Sequence, residues 1–295
     1  MFDRYSDKKV YVTGSDGFIG NALCEAISSL GKPFVRIDRN HSLFEELEKI
    51  DKREESLQKE LVLCDWNGVY KDRDSIDLQM ENAERWKSFA ECAVQHGFSR
   101  ILALGSQAEI TFKQHGVKAT EEFQPRNAYG KAKREAFRNL KKVTAGTGTE
   151  VAWARLFSVY GPGMSEKSLI ISIVSALIQG KEIEISEGEQ DWNFLYVEDC
   201  ATALISILDS KLLEPIYNVA SEKTHTVREV AKFLGEEMGN PELIRLGAKP
   251  YSQDEVFDMS PDISNLVKTG WQEKVDLKSG LKSTLRHFRE GLARN

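Results

Sequence analysis

Three glycines, Gly14, Gly17 and Gly20, punctuate the stretch Val10-Tyr11-Val12-Thr13-Gly14-Ser15-Asp16-Gly17-Phe18-Ile19-Gly20, and this pattern constrains the fold more than any other feature. A β-branched and aromatic run precedes the glycines, and an apolar, helix-compatible segment from Ala22 to Leu30 follows them. That is the form of a strand feeding a tight turn into a helix N-terminus, where unpaired amides and the helix dipole attract a pyrophosphate. Gly14 permits the turn, Gly17 lets the backbone approach a phosphate, and Gly20 lets helix pack on strand. Asp16, Phe18 and Ile19 fill the turn between them. About twenty residues on, where such a unit places an acid for the adenosine ribose, Phe34-Val35-Arg36-Ile37 ends at Asp38. The expected fold is therefore α/β, a Rossmann-type doubly wound parallel sheet that binds a dinucleotide.

A chain of 295 residues can bury a large core. Its charged fraction of 29% and apolar fraction of 41% are those of a soluble globular protein. A net charge of -6 gives no electrostatic reason to expect nucleic acid or an anionic membrane as partner. No apolar run approaches the roughly 20 residues of a membrane helix, and the polar N-terminus lacks a signal-peptide core. Cys24, Cys64, Cys92 and Cys200 are scattered with no C-x-x-C pair, so reduced thiols, no metal and a cytoplasmic location are expected.

Along the chain, Leu61 to Cys64, Ile101 to Leu104 and Val151 to Phe157 read as buried strands. Helical patterns separate them, from Ile76 to Gln95 and from about Asn127 to Val143. This alternation predicts parallel β-α-β units. Beyond Gly163 the pattern turns to mixed α/β, predicting a dinucleotide-binding domain over 1–163 and a smaller substrate lobe over 164–295, with chain crossing between them.

Tyr129 and Lys133 lie four residues apart in the long helix, hence on one face. An ammonium beside a phenol favours the phenolate and pulls its pKa down from about 10. The pair then becomes an acid/base for interconverting carbonyl and alcohol. Ser106 ends a buried strand, at the carboxyl edge where doubly wound sheets bind ligands. Its hydroxyl can bond the substrate oxygen that Tyr129 protonates.

In order, these pieces resemble the extended short-chain dehydrogenase/reductase superfamily, and within it the nucleotide-sugar epimerases, dehydratases and reductases. The motifs are T-G-x-x-G-x-x-G from Thr13 to Gly20 and Y-x-x-x-K from Tyr129 to Lys133. Downstream come Arg155 to Gly163, Phe194 to Asp199, Tyr217 to Ser221 and Leu266 to Trp271. Leu104-Gly105-Ser106-Gln107-Ala108-Glu109 is similar to the serine turn of bacterial 4-keto-6-deoxyhexose reductases. The resemblance implies NAD or NADP as cofactor, held at Gly14, Asp16, Gly17, Phe18, Ile19 and Gly20, with Asn82 and Phe157 nearby. It makes Tyr129 the acid/base, Lys133 the holder of the nicotinamide ribose and Ser106 the carbonyl orienter. Asp38 favours NAD, whereas Arg39 could pair with a 2′-phosphate. Gln107, Ser158, Trp192 and Tyr251 are the implied substrate contacts.

Several positions depart from the family pattern. The first half is short, with Ile50-Asp51 the candidate for the third strand. Leu63-Cys64-Asp65-Trp66 replaces the usual H-x-A-A ending, and Trp192-Asn193 and Ser252 stand where diphosphate-clamping arginines are expected. Arg245, Lys249 or Lys167 could supply that charge. Gln107-Ala108 replaces the acidic pair of the dehydratases, which disfavours dehydration. The expected function is reduction of the 4-keto group of a nucleotide-activated sugar, with 4-epimerisation on tightly held NAD as the alternative and a non-catalytic dinucleotide sensor as a third. Trp86, Phe89 and Phe137 on the two long helices point to a homodimer.

Overall fold

The computed structural model describes residues 8–38, 43–48, 57–110, 116–121, 123–211, 214–252 and 255–293. Arg39 and the candidate strand Ile50-Asp51 lie outside the described residues.

The first half alternates strand and helix as the sequence predicts: β1 (Lys8–Thr13), α1 (Phe18–Ser29), β2 (Phe34–Ile37), α2 (Leu43–Glu48) and β3 (Gln58–Leu63), then α3 (Ile76–Gln95), β4 (Arg100–Ser106), α4 (Ala128–Thr144) and β5 (Glu150–Leu156). The second half begins with β6 (Ser158–Tyr160), α5 (Leu169–Ile178), β7 (Ile183–Glu184), β8 (Asp191–Tyr196), α6 (Val197–Asp209) and β9 (Ile216–Val219). It continues through β10 (Thr224–Thr226), α7 (Val227–Met238), β11 (Ile244–Arg245) and α8 (Ser264–Val267) to α9 (Leu277–Ala293).

Six strands form one parallel sheet in the order β2-β1-β3-β4-β5-β9. Consecutive residues along it are fully buried (Leu61, Val62 and Leu63; Ile101, Leu102 and Ala103), which requires a layer on each face. Paired helices supply those layers, α1 with α6 and α3 with α4. The chain reverses direction across the sheet between β1 and β3, because β2 pairs on the other side of β1. Ligands bind at such a switch point, outside the carboxyl ends of the strands.

A second, three-stranded sheet, β10-β8-β6, carries the smaller lobe. Its core joins Tyr160, Ile170, Ile173, Val174 and Phe194 to Val230, Leu234 and Leu281 from α7 and α9. β6 already belongs to this sheet, β9 returns to complete the large one and β10 rejoins the small one, so the chain crosses between these two sheets three times. Trp86 and Phe137, expected at a dimer surface, are instead buried within the chain, both against Trp153. Phe89 packs against the same core.

Candidate active site

At the end of β1, Gly14 takes φ +63°, and a Cβ there would stand 2.8 Å from the Asp65 backbone. A Cβ on Gly20 would lie 2.1 Å from the Gly14 carbonyl oxygen, so helix and turn can meet only as glycines. At Gly17 an added Cβ would meet only that same carbonyl, at 3.2 Å, leaving the space in front of α1 open. Gly17 caps α1 without any side chain to satisfy the first amides. An open, uncapped helix start is the cradle a pyrophosphate needs, and the residues present fit a dinucleotide. Thr13 Oγ1 ties this turn to β3, donating to Asp65 at 2.5 Å while accepting from the Cys64 amide at 3.1 Å. Arg36 reaches back from β2 to the Ser15 carbonyl (3.0 Å) and Asn21 (3.1 Å). Asp38 sits half-buried at the end of β2, and Asp16 is exposed on the turn.

Ser106 ends β4 and caps a single 3-10 turn, Gln107–Glu109. Its hydroxyl accepts from the Ala108 amide at 3.2 Å, and Glu109 accepts from the Ser106 amide at 2.5 Å, a reciprocal capping box. Glu109 is fully buried and also accepts from Trp153 Nε1 (2.9 Å) and Arg155 Nε (3.4 Å). Burial pushes its carboxyl up, and the Arg155 guanidinium opposes that. α4 meets this turn at Gly130, where a Cβ would stand 2.2 Å from the Ala108 carbonyl oxygen. Asn127 starts the helix by accepting from the Gly130 amide at 2.8 Å. The close approach sets Tyr129, one residue earlier, in hydrogen-bonding reach of Ser106.

The electrostatics of Tyr129 differ from the sequence expectation. Burial pushes its hydroxyl up to about 12, against the lowering effects of the Ser106 hydrogen bond and of Arg73, its leading charge. Lys133 lies on the same helix face, its ammonium 5.7 Å from the Tyr129 ring centre. That ammonium turns inward, donating to the Leu104 carbonyl at 2.7 Å between the indoles of Trp66 (3.7 Å) and Trp86 (4.1 Å). Burial pushes Lys133 down to about 7, and Glu109 and Asp65 oppose the shift.

A cleft of about 380 Å³ opens at this point. Phe18 and Ile19 connect it to the glycine turn; Arg73, Ser106, Gln107, Tyr129, Phe157, Ser158, Lys167 and Trp192 line it. Gln107 Nε2 donates to Ser158 at 3.5 Å, while Gln107 Oε1 and Trp192 Nε1 are buried without a hydrogen-bond partner. Among the described residues that line the cleft none is acidic, and two, Arg73 and Lys167, are cationic.

Other expected contacts sit elsewhere. Tyr251 packs on Phe257 and accepts from the Glu189 amide at 3.1 Å, outside the cleft lining. Arg245 pairs with Glu182. Asn193 clasps Ser221 through both its amide atoms. Asn82 is wholly buried and holds the backbone of Asn67, through its carbonyl oxygen (3.1 Å) and its amide nitrogen (3.0 Å).

Sequence reading gave no role to three residues that build this site. Glu109 carried a signal, the S-x-x-E spacing of a capping box. Gln79, a polar residue at a buried helix position, accepts from Trp66 Nε1 (2.7 Å) and donates to the carbonyls of Gly68 (3.2 Å) and Asp72 (3.0 Å). Arg73, in a charged loop without any pattern, carried none.

The profile of the NAD dependent epimerase/dehydratase family matches residues 10–220. UDP-glucuronic acid decarboxylase 1 of Xenopus tropicalis is 27% identical over 172 residues, which is 57% of this chain but only 40% of that protein. UDP-N-acetyl-alpha-D-glucosaminuronate decarboxylase of Bacillus cytotoxicus is 25% identical over 320 residues, covering 96% of this chain and 98% of its own. Among solved structures, the UDP-glucose 4-epimerase of Thermotoga maritima with UDP-glucose superposes with a TM-score of 0.82 at 21% identity, covering 96% of this chain and 99% of that one.

Proposed function

The chain belongs to the NAD dependent epimerase/dehydratase family, and within it we propose an NAD-dependent oxidoreductase that reduces the 4-keto group of a nucleotide-activated deoxysugar. One observation supports the reading against dehydration: the described wall of the cleft holds a phenol, a serine and two cations but no carboxylate. Dehydration requires acids placed to remove water from the sugar. Here Gln107 and Ala108 occupy the first positions after Ser106, and the acid that follows them, Glu109, is bound behind the turn. Hydride transfer needs only a proton donor and an oriented carbonyl.

Gly14, Gly17 and Gly20 would hold the cofactor pyrophosphate at the start of α1, with Asp38 at the adenosine ribose. NADH held there would supply a hydride for the carbonyl carbon. Tyr129 gives its phenolic proton to the carbonyl oxygen, and Ser106, bonded to the same hydroxyl, fixes the direction of that transfer. Arg73 and Lys167 give the cleft a positive potential suited to a diphosphate. Gln107 and Trp192 form part of the wall that the sugar would lie against.

The test is NADH oxidation on adding a nucleotide-linked 4-keto-6-deoxyhexose, with Tyr129→Phe as control. Turnover should fall by about two to four orders of magnitude in the variant, with NAD affinity retained. An epimerase would instead interconvert two nucleotide sugars with no net consumption of NADH. Undiminished turnover in Tyr129→Phe would falsify the assignment of the acid.

A further inference from the structure

Gly105, the residue before Ser106, leaves room for a buried carboxylate. A Cβ there would stand 2.1 Å from Trp153 Nε1 and 2.7 Å from Glu109 Oε1. Glu109 uses both oxygens in that space: Oε1 accepts from the Ser106 amide, and Oε2 accepts from Trp153 Nε1 and Arg155 Nε. The side chains of Glu109 and Arg155 are both 0% exposed, so their ion pair lies wholly out of water.

Remote segments hold Arg155 in turn. Its Nη1 donates to the Ala119 carbonyl (3.4 Å) and to Asn218 Oδ1 (3.3 Å), and its guanidinium lies 4.9 Å from the Phe123 ring centre. Asn218, on β9, donates to the carbonyls of Val117 (2.9 Å) and Asp262 (3.0 Å). Phe123 stacks on Phe137 of α4, with ring centres 5.3 Å apart. β5, β9, α4 and the chain around Val117 and Asp262 thus converge on one carboxylate at the serine turn.

Stability does not by itself call for such an arrangement, because an apolar pair of the same volume often serves as well as a buried ion pair. An apolar pair, however, accepts nothing from the Ser106 amide. We propose that Arg155 and Glu109 are the positioning residues for Ser106: the guanidinium fixes the carboxylate, and the carboxylate fixes the backbone that aims the serine hydroxyl at Tyr129. The proposal rests on Ser106 orienting the carbonyl beside Tyr129. Neither Arg155 nor Glu109 lines the cleft, so both act through the serine and not on the sugar. Glu109 also carries charge near Lys133 and Tyr129, and a direct effect on either would persist without the serine.

A side-chain amide has one acceptor oxygen, so Glu109→Gln leaves either the serine amide or the Trp153 and Arg155 donors facing a donor. Hydrogen exchange reads the result without substrate: the Ser106 and Ala108 amides should exchange at least about tenfold faster, and those of α1 should not change. With the 4-keto substrate, kcat should fall about 10- to 100-fold in Glu109→Gln, with KM for NADH unchanged. In a Ser106→Ala background the same substitution should lower kcat less than about threefold, because its route of action is already gone. Glu109→Gln combined with Arg155→Met removes both charges, and should recover the Tm lost in Arg155→Met without recovering kcat. If Arg155→Met does not fold, the Glu109 and Ser106 variants carry the test. Unchanged exchange or kcat in Glu109→Gln, an equal loss of kcat with and without Ser106, or kcat restored in the double variant overturns the proposal. Normal turnover in both Ser106→Ala and Tyr129→Phe would instead sink the functional reading, and exchange alone would then decide whether the pair holds the turn.

Discussion

Tyr129 shows how burial and charge compete at one atom. Desolvation outweighs the serine bond and the guanidinium, so the phenol rests protonated with a pKa near 12. A protonated phenol is the form that reduction consumes and the reverse oxidation lacks. Reduction should therefore be insensitive to pH from about 6 to about 10, whereas alcohol oxidation, which needs phenolate, should rise about tenfold per pH unit over the same range. Initial rates in both directions across that range check the sign; an oxidation rate that levels off near neutrality would mean a much more acidic phenol. The chain marked Tyr129, Ser106 and Lys133 because their types and spacing are local facts. It could not mark Arg73, whose partner lies 56 positions away along the chain and touches it only after folding.

At the scale of elements, the site depends on how closely α4 approaches the turn after β4. Gly130 makes that approach possible, since any Cβ there would overlap the Ala108 carbonyl. Gly130→Ala should cost about 1–3 kcal/mol of stability and lower kcat more than it weakens NAD binding, because it separates Tyr129 from Ser106 but leaves the α1 cradle intact. Chemical denaturation together with steady-state kinetics separates the two effects, and unchanged kcat would show that the approach is not what aligns the pair. The strands and most helices were legible because their hydrophobic periods repeat over many residues. The sequence predicts α4 from about Asn127 to Val143, and it runs from Ala128 to Thr144. β6 and β10 were not, since three residues carry too little pattern to separate a strand from a loop.

Across the whole molecule, the chain crosses between the six-stranded and the three-stranded sheet, and the cleft forms where β4, β5 and the α1 turn meet β6 and β8. No helix among the described residues is long and apolar enough to cross a membrane. The aromatic residues expected at a dimer surface are used in the core, but α3 still exposes Ile76 (69%) and Met80 (42%) one turn apart. We expect this stripe to join two copies: light scattering should report a dimer, and Met80→Lys should yield a monomer. A monomer at all concentrations in the parent protein removes the expectation. By itself the sequence determined the parallel sheet, the phosphate turn and the serine and tyrosine of the site, because each is encoded within a few neighbouring residues. Only the tertiary structure decided which cation lies over the phenol ring, which acid braces the serine turn and which segments wall the cleft. Those outcomes depend on distances between remote segments, and burial multiplies the energy of each such contact far beyond its value in an unfolded, solvated chain.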